Sequence, residues 1–342
     1  MAQRLRTCLK LILILGFCGV FLWAAFRKVD AHEIWTAVHD TRPLWLIAVA
    51  LALILSNIPR AWRWRILIAP VSRDISIWRL FVALLIGYAG NNVFPRAGEV
   101  ARVVAVRRDR NLPMGSLLAT VLVERVLDML TMLVLFGAVL FVSRSEIARV
   151  FPQMEGVGLA ATVVTVLLLV LFGVLSACGE RALTAAQRAL TRISPSLAGR
   201  AVDILRAFFQ GMGGIRTTAG YVEIVAFTVL LNLCYFLAVY LPFLSFGFAE
   251  RYGLGPAEAL VVMVISTVGV ILPSLGGIGT YHYFCSQTLH HIYNVPLGEA
   301  LAFATVVHGI AYFTFLIAGG PGLFGLFWER NRSGRSAPAV DR

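Results

Sequence analysis

Residues 75–98 read ISIWRLFVALLIGYAGNNVFPRAG. The apolar part, 75–94, lies between two arginine-rich segments. On one side, 60–79 holds Arg60, Arg63, Arg65, Arg73 and Arg79 against Asp74; on the other, 96–110 holds Arg96, Arg102, Arg107, Arg108 and Arg110 against Glu99 and Asp109. In a membrane protein the Lys/Arg excess marks cytoplasmic loops. An apolar element with cytoplasmic loops at both ends does not cross; it enters and returns, breaking near Asn91, Asn92 and Pro95.

Working outward, further apolar stretches run over roughly 8–26, 44–59, 113–142, 157–178, 221–248, 257–293 and 299–320. The joints 27–43, 143–156, 249–258 and 294–298 lack an arginine excess and are expected outside. The segment 180–218 and both termini are rich in arginine or lysine and are expected inside. The stretch 257–293, interrupted by Pro273, Gly276, Gly277 and Gly279, therefore dips in from the opposite face. Its break, Leu272-Pro273-Ser274-Leu275-Gly276, matches Phe94-Pro95-Arg96-Ala97-Gly98 in the pattern apolar-Pro-x-x-Gly. Matching broken helices of opposite orientation are the mark of inverted repeats in transporter folds. The expected fold is an all-α polytopic membrane protein, with about six transmembrane helices and two oppositely oriented re-entrant hairpins. One transmembrane domain spans 1–328, followed by a short cytoplasmic tail, 329–342. Within it, 181–217 reads as basic amphipathic helices on an anionic inner leaflet, or as a solvated helical hairpin.

Composition agrees. The 342 residues are 59% hydrophobic and 14% charged, with formal net charge +12, where soluble domains carry about 25% charged residues. That excludes a soluble enzyme, a disordered chain and, despite the basic balance, a nucleic-acid-binding protein. Of the 30 basic residues all but Lys10 and Lys28 are arginine, which suits phosphate headgroups and equally reflects a GC-rich genome. Cys8, Cys18, Cys178, Cys234 and Cys285 show no disulfide or metal spacing and read as apolar fillers. Arg4, Arg6 and Lys10 precede the apolar run Leu11–Phe26, and Trp23 stands where a signal-peptide exit needs a small residue. The run reads as an uncleaved signal-anchor.

Four constellations carry candidate chemistry. Pro59-Arg60-Ala61-Trp62-Arg63-Trp64-Arg65 reads mostly as an interface belt. Arg60 is singled out, because Leu44–Ile58 is too short for a full span ahead of it. The second set is Asn91, Asn92, Pro95, Arg96, Gly98, Glu99 and Arg102. Freed amides at a helix break and arginines bind anions, and Glu99 and Arg102 can pair on one helix face. Glu124, Arg125 and Asp128 lie inside the apolar run Leu112–Val142. Each such charge costs roughly 2.5–3.5 kcal/mol at the bilayer centre, so they mark function by default; an ion pair locking two helices is the bland reading. The fourth is Pro273–His282, whose glycines permit close backbone approach or simply form a hairpin tip. Asn232 and His308 are candidate polar glue within helices. Asp30, Glu33 and Asp40 read as solvated loop charges, with an acidic pair for glycosyl transfer the lesser reading. No metal site or cofactor is expected.

Together, these motifs resemble successive motifs of the lysylphosphatidylglycerol synthase transmembrane-region family, also called the flippase-like domain family, over roughly residues 8–325. The resemblance implies a multi-pass plasma-membrane protein with a lipid-translocating role. In the best-understood members the module flips aminoacylated phosphatidylglycerol beside a fused soluble aminoacyl-transferase domain. Here only 14 residues follow Trp328, so lysyl transfer is not expected. Many relatives carry a glutamate where this chain has His282. Some stand-alone relatives belong to hopanoid or glycolipid pathways, so the expected partners are phospholipid, glycolipid or hopanoid-type lipids, and a lipid-modifying enzyme.

The function expected is a lipid flippase. Arg60, Arg96 and Arg102 would engage a phosphate-bearing headgroup, Glu124, Arg125 and Asp128 would relay charge or hold a cationic headgroup, and the hairpins would alternate access. The alternatives are a scaffold for a lipid-modifying enzyme and, less favoured, a membrane-embedded transferase.

Overall fold

The computed structural model describes residues 2–94, 97–108, 110–142, 218–272 and 274–335, with isolated positions between 163 and 191. Apart from those isolated positions, the expected span 157–178 and the basic segment 181–217 lie outside these, as do Pro95, Arg96 and Pro273. Among the described residues all regular structure is helical: α1 (Ala2–Phe26), α2 (Ala31–His39), α3 (Pro43–Leu55), α4 (Asn57–Ile68), α5 (Ile77–Val93), α6 (Ala97–Arg107), α7 (Met114–Val142), α8 (Thr218–Ser245), α9 (Phe248–Tyr252), α10 (Pro256–Ile271), α11 (Thr280–Tyr293) and α12 (Leu297–Arg335).

Among the described residues, three stretches are long and apolar enough to cross a bilayer: Pro43–Ile68, Ala219–Ser245 and Leu297–Trp328. A fourth arises if Ile12–Phe26 and Ala31–His39, bent by 79°, count as one broken span. The bend corrects the reading of 27–43 as a plain loop: Asp30 accepts a hydrogen bond from the His32 amide and caps α2, so the acidic residue starts a helix. A second correction concerns 60–79. α3 and α4 form one 26-residue stretch, so Arg60 and Arg63 belong to a helix inside the span, and the loop begins only after Ile68.

The two expected hairpins are present as helix pairs. α5 has 17 residues and a length of about 25 Å at 1.5 Å per residue, short of the roughly 30 Å hydrocarbon core. It starts where Ser76 Oγ accepts from the Arg79 amide and ends at Val93, with Phe94 extended. α6 returns against it through glycine. A Cβ on Gly98 would lie 1.9 Å from the Gly87 carbonyl oxygen, so only hydrogen fits there. α10 has 16 residues, with Pro256 in its first turn and Glu258 accepting from the Gly255 amide at 2.7 Å. It packs on α11 as closely, since a Cβ on Gly269 would meet the Thr280 carbonyl oxygen at 2.7 Å. In the turn between them Gly276, Gly277 and Gly279 have φ of +54°, +88° and +83°, values that favour glycine.

α12 passes both hairpins. Its Gly319 lies so close to α5 that a Cβ would sit 2.0 Å from the Leu85 carbonyl oxygen. One apolar core joins α8–α12 around Phe243, Phe248 and Phe303; another joins α4–α7 around Trp64, Leu67 and Leu80. The outer faces stay apolar: Leu44, Val225, Val229, Ile317 and Phe324 are exposed, as expected of side chains that meet lipid.

A candidate site of buried arginines and carboxylates

The site grows from three spacings. On α4, Arg60 and Arg63 are three apart; on α7, Glu124 and Asp128 are four apart; on α6, Glu99 and Arg102 are three apart. Each pair therefore shares a helix face, and the fold turns the three faces toward one another. Arg60 Nε donates to Glu124 Oε1 at 2.6 Å and its Nη2 to Asp128 Oδ2 at 3.1 Å. Arg63 Nη2 donates to Asp128 Oδ1 and lies 3.5 Å from Glu124 Oε1. Arg102 Nη1 donates to Glu124 Oε2 at 2.8 Å. Arg125 joins Glu99 at 3.2 Å and Asp128 at 3.8 Å.

Aromatic and hydroxyl groups complete the shell. Arg60 Nη1 donates to the hydroxyls of Tyr88 and Tyr235, which lie 2.8 Å apart. Arg63 Nη1 reaches Thr228 Oγ1 on α8 at 3.3 Å. The Arg102 guanidinium stands 4.8 Å from the ring centre of Trp64, whose indole donates to Thr120. Arg60, Arg63, Arg102 and Glu124 are all buried. Isolated charges at this depth would be prohibitive; paired and hydrogen-bonded, they are retained.

The balance is uneven. Among the described residues, four arginines (Arg60, Arg63, Arg102, Arg125) face three carboxylates (Glu99, Glu124, Asp128). Among the described residues, buried N–H groups at Arg63 Nε, at Arg102 Nε and Nη2 and at Arg125 Nε have no acceptor, and the buried Glu99 Oε2 has no donor. Beside them is a cavity of about 10 Å³ lined by Arg60, Gly87, Tyr88, Asn91, Gly98, Arg102 and Arg125, room for about one water.

The expected residues distribute as follows. Arg60, Glu99, Arg102, Glu124, Arg125 and Asp128 meet in one network. The local Glu99–Arg102 pair is not made, because the longer reach across helices gives Glu99 to Arg125 and Arg102 to Glu124. Asn91 lines the cavity and accepts from the Gly98 amide at 2.8 Å, closing the first break. Its neighbour Asn92 points to the second: it donates to the Tyr312 carbonyl at 3.0 Å, and a Cβ on Gly276 would be 3.3 Å from its Oδ1. The two breaks thus touch through consecutive asparagines. His282 is buried at the start of α11 with Nδ1 accepting from the Gly279 amide. Asn232 spends its side chain locally, donating to the Thr228 carbonyl.

The interface-belt reading of 59–65 holds only in part. Trp62 and Arg65 are exposed and stack on each other, while Arg63 and Trp64 turn inward. Sequence reasoning missed Arg63, Tyr88, Thr228 and Tyr235. For Arg63 the signal was present, since i+3 from Arg60 is the same face; the others are ordinary residues for a membrane helix. Glu33 and Asp40 line a separate cavity of about 570 Å³ with Arg42, Arg251 and Glu299. Neither Asp30 nor any member of the arginine network is among its lining residues.

Residues 8–319 match the lysylphosphatidylglycerol synthase TM region. The chain belongs to that family. Among curated proteins, 113 residues (33% of this chain, 18% of the relative) are 34% identical to the glycosyltransferase AglD of Haloferax volcanii. A further 121 residues (34% of this chain, 35% of the relative) are 27% identical to the UPF0104 membrane protein MJ1595 of Methanocaldococcus jannaschii. The chain thus spans about a fifth and a third of the lengths of these relatives. No solved structure matches it. Family membership agrees with the helical, lipid-facing exterior and makes this a multi-pass membrane protein.

Proposed function

We propose that the protein moves a phosphate-bearing polar lipid between leaflets of the plasma membrane, with both termini cytoplasmic. The observation that carries this reading is the uneven charge of the buried network. Among the described residues, one excess arginine and several acceptor-less N–H groups border a cavity at the first helix break, and a phosphate supplies the missing anion and acceptors. The cavity is far smaller than a headgroup, so this conformation is the closed one, and opening requires α5–α6 to part from α7. Arg102 is the residue best placed for the headgroup, having two unused nitrogens. Glu124 and Asp128 hold Arg60 and Arg63 in place and accept them again when the lipid leaves. Arg96, outside the described residues, belongs by its position to the same break.

A scaffold for a lipid-modifying enzyme is favoured by one observation, the complete burial of Glu124 among ion pairs. The deciding experiment reconstitutes the protein alone in liposomes holding fluorescent phosphatidylglycerol or phosphatidylethanolamine and follows bleaching by external dithionite. Transport predicts lipid movement above protein-free vesicles, lowered at least about tenfold by Arg102→Gln, the cost of one charge-assisted contact. Movement equal to protein-free vesicles for both lipids would sink the transport reading and leave the scaffold.

A further inference from the structure

Away from the arginine network, the second helix break holds two imidazoles that the reading above leaves without a task. His282 on α11 and His308 on α12 lie edge to face with ring centres 5.0 Å apart. His308 also stacks on Tyr281 at 5.2 Å, and its Cε1 is 3.3 Å from where a Cβ on Gly277 would be. The Gly279 amide donates to His282 Nδ1, which places the proton of the neutral ring on Nε2. His308 Nε2 is buried and has no hydrogen-bond partner. An unpaired buried polar atom costs about 1–3 kcal/mol; phenylalanine would fill the space without that cost.

The surroundings leave a proton as the ligand. Tyr281 and Cys285 face this region from α11 itself, Tyr312 from α12, Cys18 and Phe26 from α1, Ser266 from α10 and Asn92 from α5. None is a carboxylate or an arginine, and neither histidine forms a salt bridge among the described residues. No group of three metal-ligating side chains occurs among the described residues. An imidazolium sealed here would have no counter-charge, so protonation is tied to a conformation in which the site is wet. The tip that seals it, Gly276–Gly279, rests on Asn92 and Tyr312, and Asn92 is next to Asn91 in the arginine-lined cavity.

We propose that His282 and His308 form a proton-binding pair at the second helix break, charged at His308 Nε2 by a proton from the aqueous phase when the hairpin tip lifts, and emptied when it closes. Resting on the transport reading, this makes the protein a proton-coupled lipid transporter. Coupling of one proton to each lipid shifts the lipid distribution about tenfold per pH unit of gradient.

Two measurements test it. In the liposomes above, a gradient of one pH unit is imposed and the ratio of lipid distributions with and without it is read for wild type, His308→Gln and His282→Gln. A tenfold ratio in wild type that falls to one in His308→Gln, whatever its absolute rate, supports the pair. A wild type that moves lipid with a ratio of one overturns it and leaves transport standing. Should no lipid move, the second measurement still decides. Imidazole ¹⁵N spectra of the purified chain are titrated between about pH 4 and 8, the range of histidine switching, with assignments from the two variants. Proton uptake by the pair, with the His282 midpoint moved by about one pH unit in His308→Gln, is expected of coupled sites. Spectra without uptake, or a His282 midpoint indifferent to His308, overturn the proposal.

Discussion

Arg60 and Glu124, 64 positions apart in the chain, meet at 2.6 Å between Nε and Oε1, with 4% and 0% of their side chains exposed. Around this contact the other charges arrange themselves: Glu124 gives its second oxygen to Arg102, and Arg60 gives its remaining nitrogens to Asp128 and to two tyrosines. Removing one partner leaves the others charged and buried, which costs far more than the pair itself contributes.

Glu124→Gln is therefore expected to destabilise the protein by about 3–5 kcal/mol, the cost of orphaning a buried charge. Adding Arg102→Gln restores the former charge balance and recovers part of that loss. Thermal unfolding in detergent of the two singles and the double checks it; fully additive losses would mean that the two side chains do not interact.

Arg63 divides its guanidinium between Asp128 and Thr228. Lysine has one ammonium on a flexible stem and cannot span two acceptors on two helices. Arg63→Lys is expected to lose about 1–3 kcal/mol, whereas Arg65→Lys, at an exposed belt position, stays within about 0.5 kcal/mol. Equal midpoints for the two variants would contradict the assignment of Arg63 to the network.

The α5–α6 hairpin depends on a hydrogen at Gly98. A Cβ there meets the Gly87 carbonyl oxygen and the Asn91 amide, backbone on one side and the cavity wall on the other. Gly98→Ala is expected to prevent proper folding or splay the hairpin, seen as a lost folded peak in size-exclusion chromatography. Gly115→Ala has open space around it and should gain up to about 1 kcal/mol through helix propensity.

At the edge of the 570 Å³ cavity, Tyr252 donates to Glu299 at 3.1 Å beside Arg251. Partial burial and then the Glu299 carboxylate push its phenol above the ordinary value of 10. The folded state thus holds the proton more firmly than the unfolded one. The resulting stabilisation is complete below pH 10 and is lost as pH rises through the folded value. Ultraviolet titration of wild type minus Tyr252→Phe should show an ionisation above that of free tyrosine; a difference curve centred at 10 would refute it.

Much of the architecture was legible because the bilayer imposes a coarse rule that single residues obey. Runs of apolar residues must be helical, and arginine-rich joints stay on one side. Thus the ends of α5, α10 and α11 fell near Asn91–Phe94, Leu272 and Gly279, where asparagine, proline and glycine stop a helix. Arg60 could be singled out from the length of chain before it. Arg63 could have been, three positions on and on the same helix face as Arg60, whereas Trp64 could not, because a belt of tryptophan and arginine reads the same whether it faces headgroups or the interior. Helix α2 was missed since its nine residues are too few for periodicity to stand out from a polar loop.

By itself the sequence determined that this chain lives in a membrane, that two apolar elements turn back, and that Glu124, Arg125 and Asp128 are charges needing partners. Those follow from composition and local chain geometry alone. Which partners they take was settled only by the tertiary structure. Local spacing favoured Glu99 with Arg102, yet the packing of α4, α6 and α7 gave Glu124 three arginines and Glu99 a different one. Side chains as long as arginine reach across helices as easily as along one, so pairing depends on which faces meet, a property of the whole packed bundle.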